Sequence, residues 1–209
     1  MKKYIVEFIG AFFLIFVIGL TVVNPGAGPL APIAIGTTLM VMVYAGGYIS
    51  GGHYNPAVTL AVWMRGKCET KDVPFYMVAQ FLGGVLAALL VLFIKRSAGA
   101  QITAAEPAVV PALIVEALFT FALCYVVLNT ATSKATAGNS YYGLAIGFTL
   151  LAAAYAIGNI SGCAINPAVA VGVAIMGLIK ATSIWIYLVA NFVGGAAAAL
   201  VYKAVNPEA

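Results

Sequence analysis

The sequence predicts an all-α membrane protein: six transmembrane helices plus two re-entrant half-helices, arranged as an inverted three-plus-three repeat. Three observations carry that prediction. The chain is 64% hydrophobic and only 8% charged, with a mean hydropathy of +1.07, far from the balance of a water-soluble globular domain. Six apolar runs of spanning length lie near 4–23, 31–50, 73–94, 108–130, 141–159 and 183–203. Finally, the stretch GGHYNPAVTL around Asn55, Pro56 and Ala57 returns as SGCAINPAVAVG around Asn166, Pro167 and Ala168.

The first run comes after Lys2 and Lys3, as the core of a signal peptide would. It is about twenty residues long, carries Glu7, and ends in Asn24-Pro25-Gly26 without a small-residue cleavage pattern, so a retained span is expected. After the second run the chain reaches Gly51, Gly52, His53 and Tyr54, then Asn55-Pro56. An Asn side-chain oxygen can accept an early backbone N–H as N-cap, and Pro at the first helical position gives up a donor that would be unpaired anyway. Each of the two repeated motifs should therefore open a helix. The stretch after each is apolar for only about ten residues, roughly half of a 30 Å hydrocarbon core. A helix broken at membrane depth is tolerated only where its irregular backbone is buried or lines a wet cavity. The backbone of Gly51, Gly52, His53 and Tyr54, and that of Gly162, Cys163, Ala164 and Ile165, is thus expected to face a passage.

The segment from Arg65 to Asp72 is strongly charged, Lys95 to Glu106 is a longer polar connection, and Thr132 to Ser140 is short and polar. With six spans both termini share a side. Placing that side in the cytoplasm puts Lys2, Lys3, Arg65, Lys67, Lys71, Lys134 and Lys203 inside against Lys95, Arg96 and Lys180 outside, as the positive-inside rule favours for a cell-membrane protein.

The repeat extends beyond the motif. VAQFLGG at 78–84 matches VANFVGG at 189–195, and Gln80 stands as far after Asn55 as Asn191 does after Asn166. Glu7 and Glu116 precede Asn55 and Asn166 by nearly equal intervals, early in the first span of each half. The halves run about 1–96 and about 108–205 within one channel domain covering 1–209. Because each holds three spans, the second enters the membrane from the opposite side and the half-helices point at each other. The Gly pairs at 83–84 and 194–195 read as small faces for close helix crossing.

With its two Asn-Pro-Ala boxes, the flanking ISGGHYNPAVTL and ISGCAINPAV, and a Glu in spans one and four, the chain resembles the aquaporin (major intrinsic protein) family along nearly its whole length. The resemblance implies a passive channel for water and small neutral solutes, usually a homotetramer with one pore per subunit. It also implies a narrow outer filter at Ile35, Ala154, Cys163 and Val169. The family usually carries Arg where this chain has Val169, and often an aromatic where it has Ile35. Without that Arg a strict water-only assignment does not follow. A facilitator mainly for glycerol, ammonia, hydrogen peroxide or carbon dioxide is the alternative within the class, and a secondary transporter, which also uses inverted repeats, is the alternative outside it.

Within such a pore the half-helix dipoles would repel cations, the Asn amides would offer NH₂ donors to the lumen, and loop carbonyls would offer a ladder of acceptors. Glu7 and Glu116 read as acceptors holding the re-entrant loops rather than proton relays. His53 is expected to be a structural loop residue rather than a pH-sensing gate. Cys163 reads as a small filter residue reachable by thiol reagents rather than a metal ligand. Tyr44, Tyr48, Tyr54, Tyr141, Tyr142 and Trp185 read as interfacial anchors. The three cysteines outline no disulfide framework. The net charge of +4 is scattered at the ends of apolar runs, which argues against nucleic acid as a partner. No nucleophile with a base, metal cluster or phosphate loop indicates an enzyme, a metal or a cofactor.

Overall fold

The computed structural model describes residues 1–206, so the last three positions of the expected channel domain lie outside the described residues. Among those described, eight α-helices form: α1 Lys2–Val22, α2 Ala31–Ser50, α3 Pro56–Met64, α4 Val73–Ser97, α5 Val109–Val127, α6 Tyr142–Ser161, α7 Pro167–Ile175 and α8 Ile184–Val205. Six helical segments are long and apolar enough to cross a membrane. The two short helices, α3 and α7, are the half-spans. Large side chains such as Leu82, Leu86, Leu118, Phe148 and Leu200 are exposed around the outside, an apolar jacket suited to lipid.

Two boundaries differ from the sequence expectation. The fourth span is α-helical only to Val127 and then widens into a π turn, Leu128–Thr132. There Asn129 Nδ2, Thr130 Oγ1 and Thr132 Oγ1 donate back to the carbonyls of Tyr125, Val126 and Leu128, competing with the regular ladder. The third span runs on to Ser97, because Lys95 is buried and its ammonium donates to the Pro25 carbonyl of the α1–α2 connection.

The Gly pairs set how the helices cross. A Cβ at Gly83 would lie 2.4 Å from the Phe8 carbonyl oxygen of α1, and one at Gly194 would lie 2.4 Å from the Ala117 carbonyl oxygen of α5. The neighbouring glycines reach into the other half: a Cβ at Gly84 would lie 3.2 Å from the Ala168 carbonyl oxygen of α7, and one at Gly195 would lie 2.7 Å from that of Ala57 in α3. Helices α2 and α6 cross at Gly36 and Gly147, where a Cβ on either would meet the other's carbonyl oxygen at 2.7 or 2.6 Å. These crossings are thus held at backbone contact, and α4 and α8 each clamp the opposite repeat's half-helix.

The start of α1 and the end of α8 lie at one end. Lys3 pairs with Asp72, and the guanidinium of Arg65, just past α3, stacks 4.9 Å from the Tyr202 ring near the end of α8. We call this the inner end of the molecule and the opposite one the outer end.

Candidate functional site

The site begins with the two caps. Asn55 Oδ1 accepts from Ala57 N at 2.8 Å, and Asn166 Oδ1 accepts from Ala168 N at 2.9 Å, while Pro56 and Pro167 occupy the first helical positions. The caps also grip each other's loops. Asn55 Nδ2 donates to the Ile165 carbonyl at 2.9 Å, and Asn166 Nδ2 donates to the Tyr54 carbonyl at 3.0 Å. The N-termini of α3 and α7 therefore meet through reciprocal hydrogen bonds. This corrects the sequence expectation in one respect: each amide has spent one of its two N–H groups on the opposite loop, and the Tyr54 and Ile165 carbonyls are already engaged. One N–H per Asn remains for a guest.

Behind each loop stands a carboxylate that is fully buried. Glu7 Oε1 accepts from Ser50 Oγ at 2.7 Å and His53 N at 2.9 Å, and Oε2 accepts from Tyr54 N at 2.6 Å and Gln80 Nε2 at 2.7 Å. Glu116 repeats the pattern with Ser161 Oγ at 2.6 Å, Ala164 N at 2.9 Å, Ile165 N at 2.6 Å and Asn191 Nδ2 at 3.0 Å. Paired backbone N–H groups aimed at an anion form a small nest, and the chain must visit left-handed conformations to make it. Gly52 has φ +64°, and Tyr54, Cys163 and Ile165 have φ 49°, 54° and 38°. Gly51 and Gly162 close α2 and α6 in the same region, at 91° and 89°. The hydroxyls of Tyr76 and Tyr187 complete each bracket by donating to the Ser50 and Ser161 carbonyls.

The supporting residues Ser50, Tyr76 and Gln80, with their partners Ser161, Tyr187 and Asn191, are not among the site residues expected from the sequence. A signal for them exists: the members of each pair are as far apart in the chain as Asn55 is from Asn166. Thr59 has no such partner, since Ala170 holds its place in α7. Its hydroxyl donates to the Asn55 carbonyl at 3.1 Å and accepts from Gln80 Nε2 at 2.9 Å, so at the 3.1 Å contact with His53 it serves as acceptor and Nδ1 as donor. In a neutral ring that leaves Nε2 as an acceptor. The His53 ring is buried against Tyr76, with centroids 5.0 Å apart.

Tyr54 is not an interfacial anchor. Its ring is fully buried, its hydroxyl donates to the Met42 carbonyl at 2.9 Å, and it occupies the space that a Cβ at Gly10 or Gly46 would take, at 2.1 Å from either. A left-handed loop residue points its ring backward into the α1–α2 seam, which sequence position cannot reveal. Tyr48, Tyr141 and Trp185 are exposed, and the Tyr44 hydroxyl links Ser140 O and Leu144 N.

Three cavities line up along the loops. A central one of about 20 Å³ is bounded by both Asn caps and by Val58, Val127, Ile146 and Val169. It shares His53 and Val127 with an inner cavity of about 410 Å³, and Ile18, Leu150, Ala164 and Val169 with an outer one of about 820 Å³. Ile35, Ala154, Cys163 and Val169 all line the outer cavity. Its rim is closed by the inter-repeat connection: Ala105 N donates to Leu178 O at 2.8 Å, Lys180 N donates to Ala105 O at 3.2 Å, and Glu106 pairs with Lys180. The inner rim carries Lys3, Lys67, Glu69 and Asp72. Hydrogen bonds from Lys3, and then from Tyr4, hold the Asp72 carboxyl below the usual carboxylate range.

Removing either cap is expected to weaken the junction. Asn55→Ala or Asn166→Ala loses a cap of about 1 kcal/mol and leaves a buried carbonyl short of a donor at about 1 kcal/mol more. Thermal unfolding in detergent checks this: a destabilisation of about 2 kcal/mol is expected, and unchanged melting in both variants contradicts the reciprocal bonds.

Six spanning helices around two broken ones that meet cap to cap define a helical membrane channel of the inverted-repeat kind. The chain belongs to the major intrinsic protein family, whose model matches residues 1–202. It is 37% identical to aquaporin NIP1-1 of Zea mays over 99% of this chain and 75% of that one. It is 36% identical to glycerol uptake facilitator protein-like 6 of Lactiplantibacillus plantarum over the full length of both. In structure it is similar to the aquaglyceroporin from Plasmodium falciparum, with a TM-score of 0.82 at 22% identity, covering 99% of this chain and 97% of that one. Like other members of the family, it is a channel and not an enzyme.

Proposed function

We propose that the chain conducts water and small uncharged solutes passively through a pore organised by Asn55-Pro56-Ala57 and Asn166-Pro167-Ala168. The observation that carries this reading is the reciprocal tie between the caps, set where the inner and outer cavities converge. A water oxygen there accepts the one remaining N–H of each Asn, and its own hydrogens then point away along the pore, which interrupts a proton-conducting chain. Two helix N-termini, each equivalent to about half a positive charge, oppose cations at the same point.

Relatives named aquaporin and glycerol uptake facilitator support a solute range from water to small polyols. The outer quartet supports it too: Ile35, Ala154, Cys163 and Val169 bring neither charge nor a strong donor to the wide cavity they line. Coupled transport is disfavoured because both intramembrane carboxylates have four donors each and no spare role. The assembly is a homotetramer with the inner end and both termini in the cytoplasm, and residues 1–209 act as one channel domain.

Stopped-flow light scattering on proteoliposomes, run with an impermeant osmolyte, glycerol and ammonia, tests the proposal. Shrinkage faster than in empty vesicles is expected, and a rate equal to theirs contradicts it. Val169→Arg adds a bulky charge at the outer mouth of the central cavity and is expected to cut glycerol permeability about tenfold more than water permeability. A folded variant with the wild-type ratio contradicts the placing of Val169 on the conduction path.

A further inference from the structure

We infer that solute size is limited on the inner side of the Asn pair, by Val58 and Ile146, and not by the outer quartet. This rests on the channel reading above. The repeat that relates Asn55 to Asn166 places an image of each outer position in the other half: Ile146 mirrors Ile35, Val58 mirrors Val169, Gly52 mirrors Cys163 and Val43 mirrors Ala154. Structurally the two levels are unequal. Of the outer quartet, only Val169 bounds the central cavity of about 20 Å³, while all four positions line the outer cavity of about 820 Å³. Of the inner image, Gly52, Val58 and Ile146 all bound the central cavity, and none of the three lines the inner cavity of about 410 Å³. The tight segment thus extends a full level further on the inner side, where Val127 shares its wall.

The chemistry of that level follows from its walls. Val58, Val127 and Ile146 offer no side-chain hydrogen bonds, so a guest must pass with its polar groups turned to the Gly52 backbone and the His53 ring. Narrow uncharged molecules that need few hydrogen bonds at once satisfy this, whereas a triol must shed several together.

The test compares glycerol-to-water permeability ratios in proteoliposomes for Ile146→Ala, Val58→Ala and Ile35→Ala, with the lipid-facing Leu86→Ala as a control. Opening the inner level at either position is expected to raise the ratio about tenfold and several times more than Ile35→Ala does. Ile146→Phe is expected to suppress glycerol while water still passes, which keeps the test decisive should one of the alanine variants not fold. A larger rise with Ile35→Ala than with the inner variants, or an unchanged ratio in folded Val58→Ala and Ile146→Phe, overturns the inner limit. Wild-type vesicles no faster than empty ones would instead overturn the channel reading itself, so the two failures are distinct.

Discussion

Glu116→Leu, and equally Glu7→Leu, is expected to abolish the folded channel. Each carboxylate is the common acceptor of four buried donors, two of them backbone N–H groups of a re-entrant loop. A buried donor left unsatisfied costs about 1–3 kcal/mol. At membrane depth no water replaces the lost acceptor, so four together approach the roughly 5–15 kcal/mol that holds a typical protein folded. Glu116→Gln is milder but informative. Its amide presents N–H where donors already point, and a loss of about 3 kcal/mol is expected. Monodisperse elution and thermal unfolding in detergent check both. A Glu116→Leu protein that elutes and melts like the wild type would show that the loops do not depend on this acceptor.

Gly194→Ala is the second large effect. The added methyl would sit 2.4 Å from the Ala117 carbonyl oxygen and 3.0 Å from Phe121 N, and both are backbone atoms that cannot rotate aside. Helices α5 and α8 must separate, and because the next residue, Gly195, rests on the Ala57 carbonyl, the displacement reaches the first half-helix. Overpacking typically costs about 1–3 kcal/mol, and a clash with backbone lies at or above the top of that range. Gly158→Ala supplies the contrast. A Cβ there meets nothing within 4 Å, so the helix-propensity gain of up to about 1 kcal/mol is expected to show as unchanged or raised stability. Equal effects of the two substitutions on melting would contradict the packing described.

Most of the fold is legible in the sequence because membrane and caps impose short-range rules. A span must be long and apolar, and an Asn-Pro that heads an apolar run opens a helix where Asn24-Pro25, at the end of one, does not, so the positions of α3 and α7 follow from Asn55 and Asn166 with the runs after them. Glu7 and Glu116 are legible as loop supports because a buried carboxylate needs donors. Their other partners are less so. Gln80 and Asn191 stand in matched motifs that signal only duplication, since nothing local says that an amide on one helix meets a carboxylate on another. The Tyr54 ring and the cross-loop bonds of the Asn amides depend on left-handed loop residues and on the approach of segments from opposite halves of the chain, which no spacing rule encodes. The π turn at Leu128–Thr132 is hidden for a different reason: its Asn and Thr side chains compete with the helix ladder only after the helix has formed.

Paired caps that pass uncharged molecules while interrupting the proton chain are the centre of the proposed mechanism. Water and proton flux measured together, in the same proteoliposomes loaded with a pH-sensitive dye and exposed to an osmotic step and a pH step, test it most directly. Osmotic shrinkage well above that of empty vesicles is predicted, with internal pH changing no faster than in those vesicles. Acidification that rises in step with water permeability, or shrinkage no faster than in empty vesicles, would contradict it.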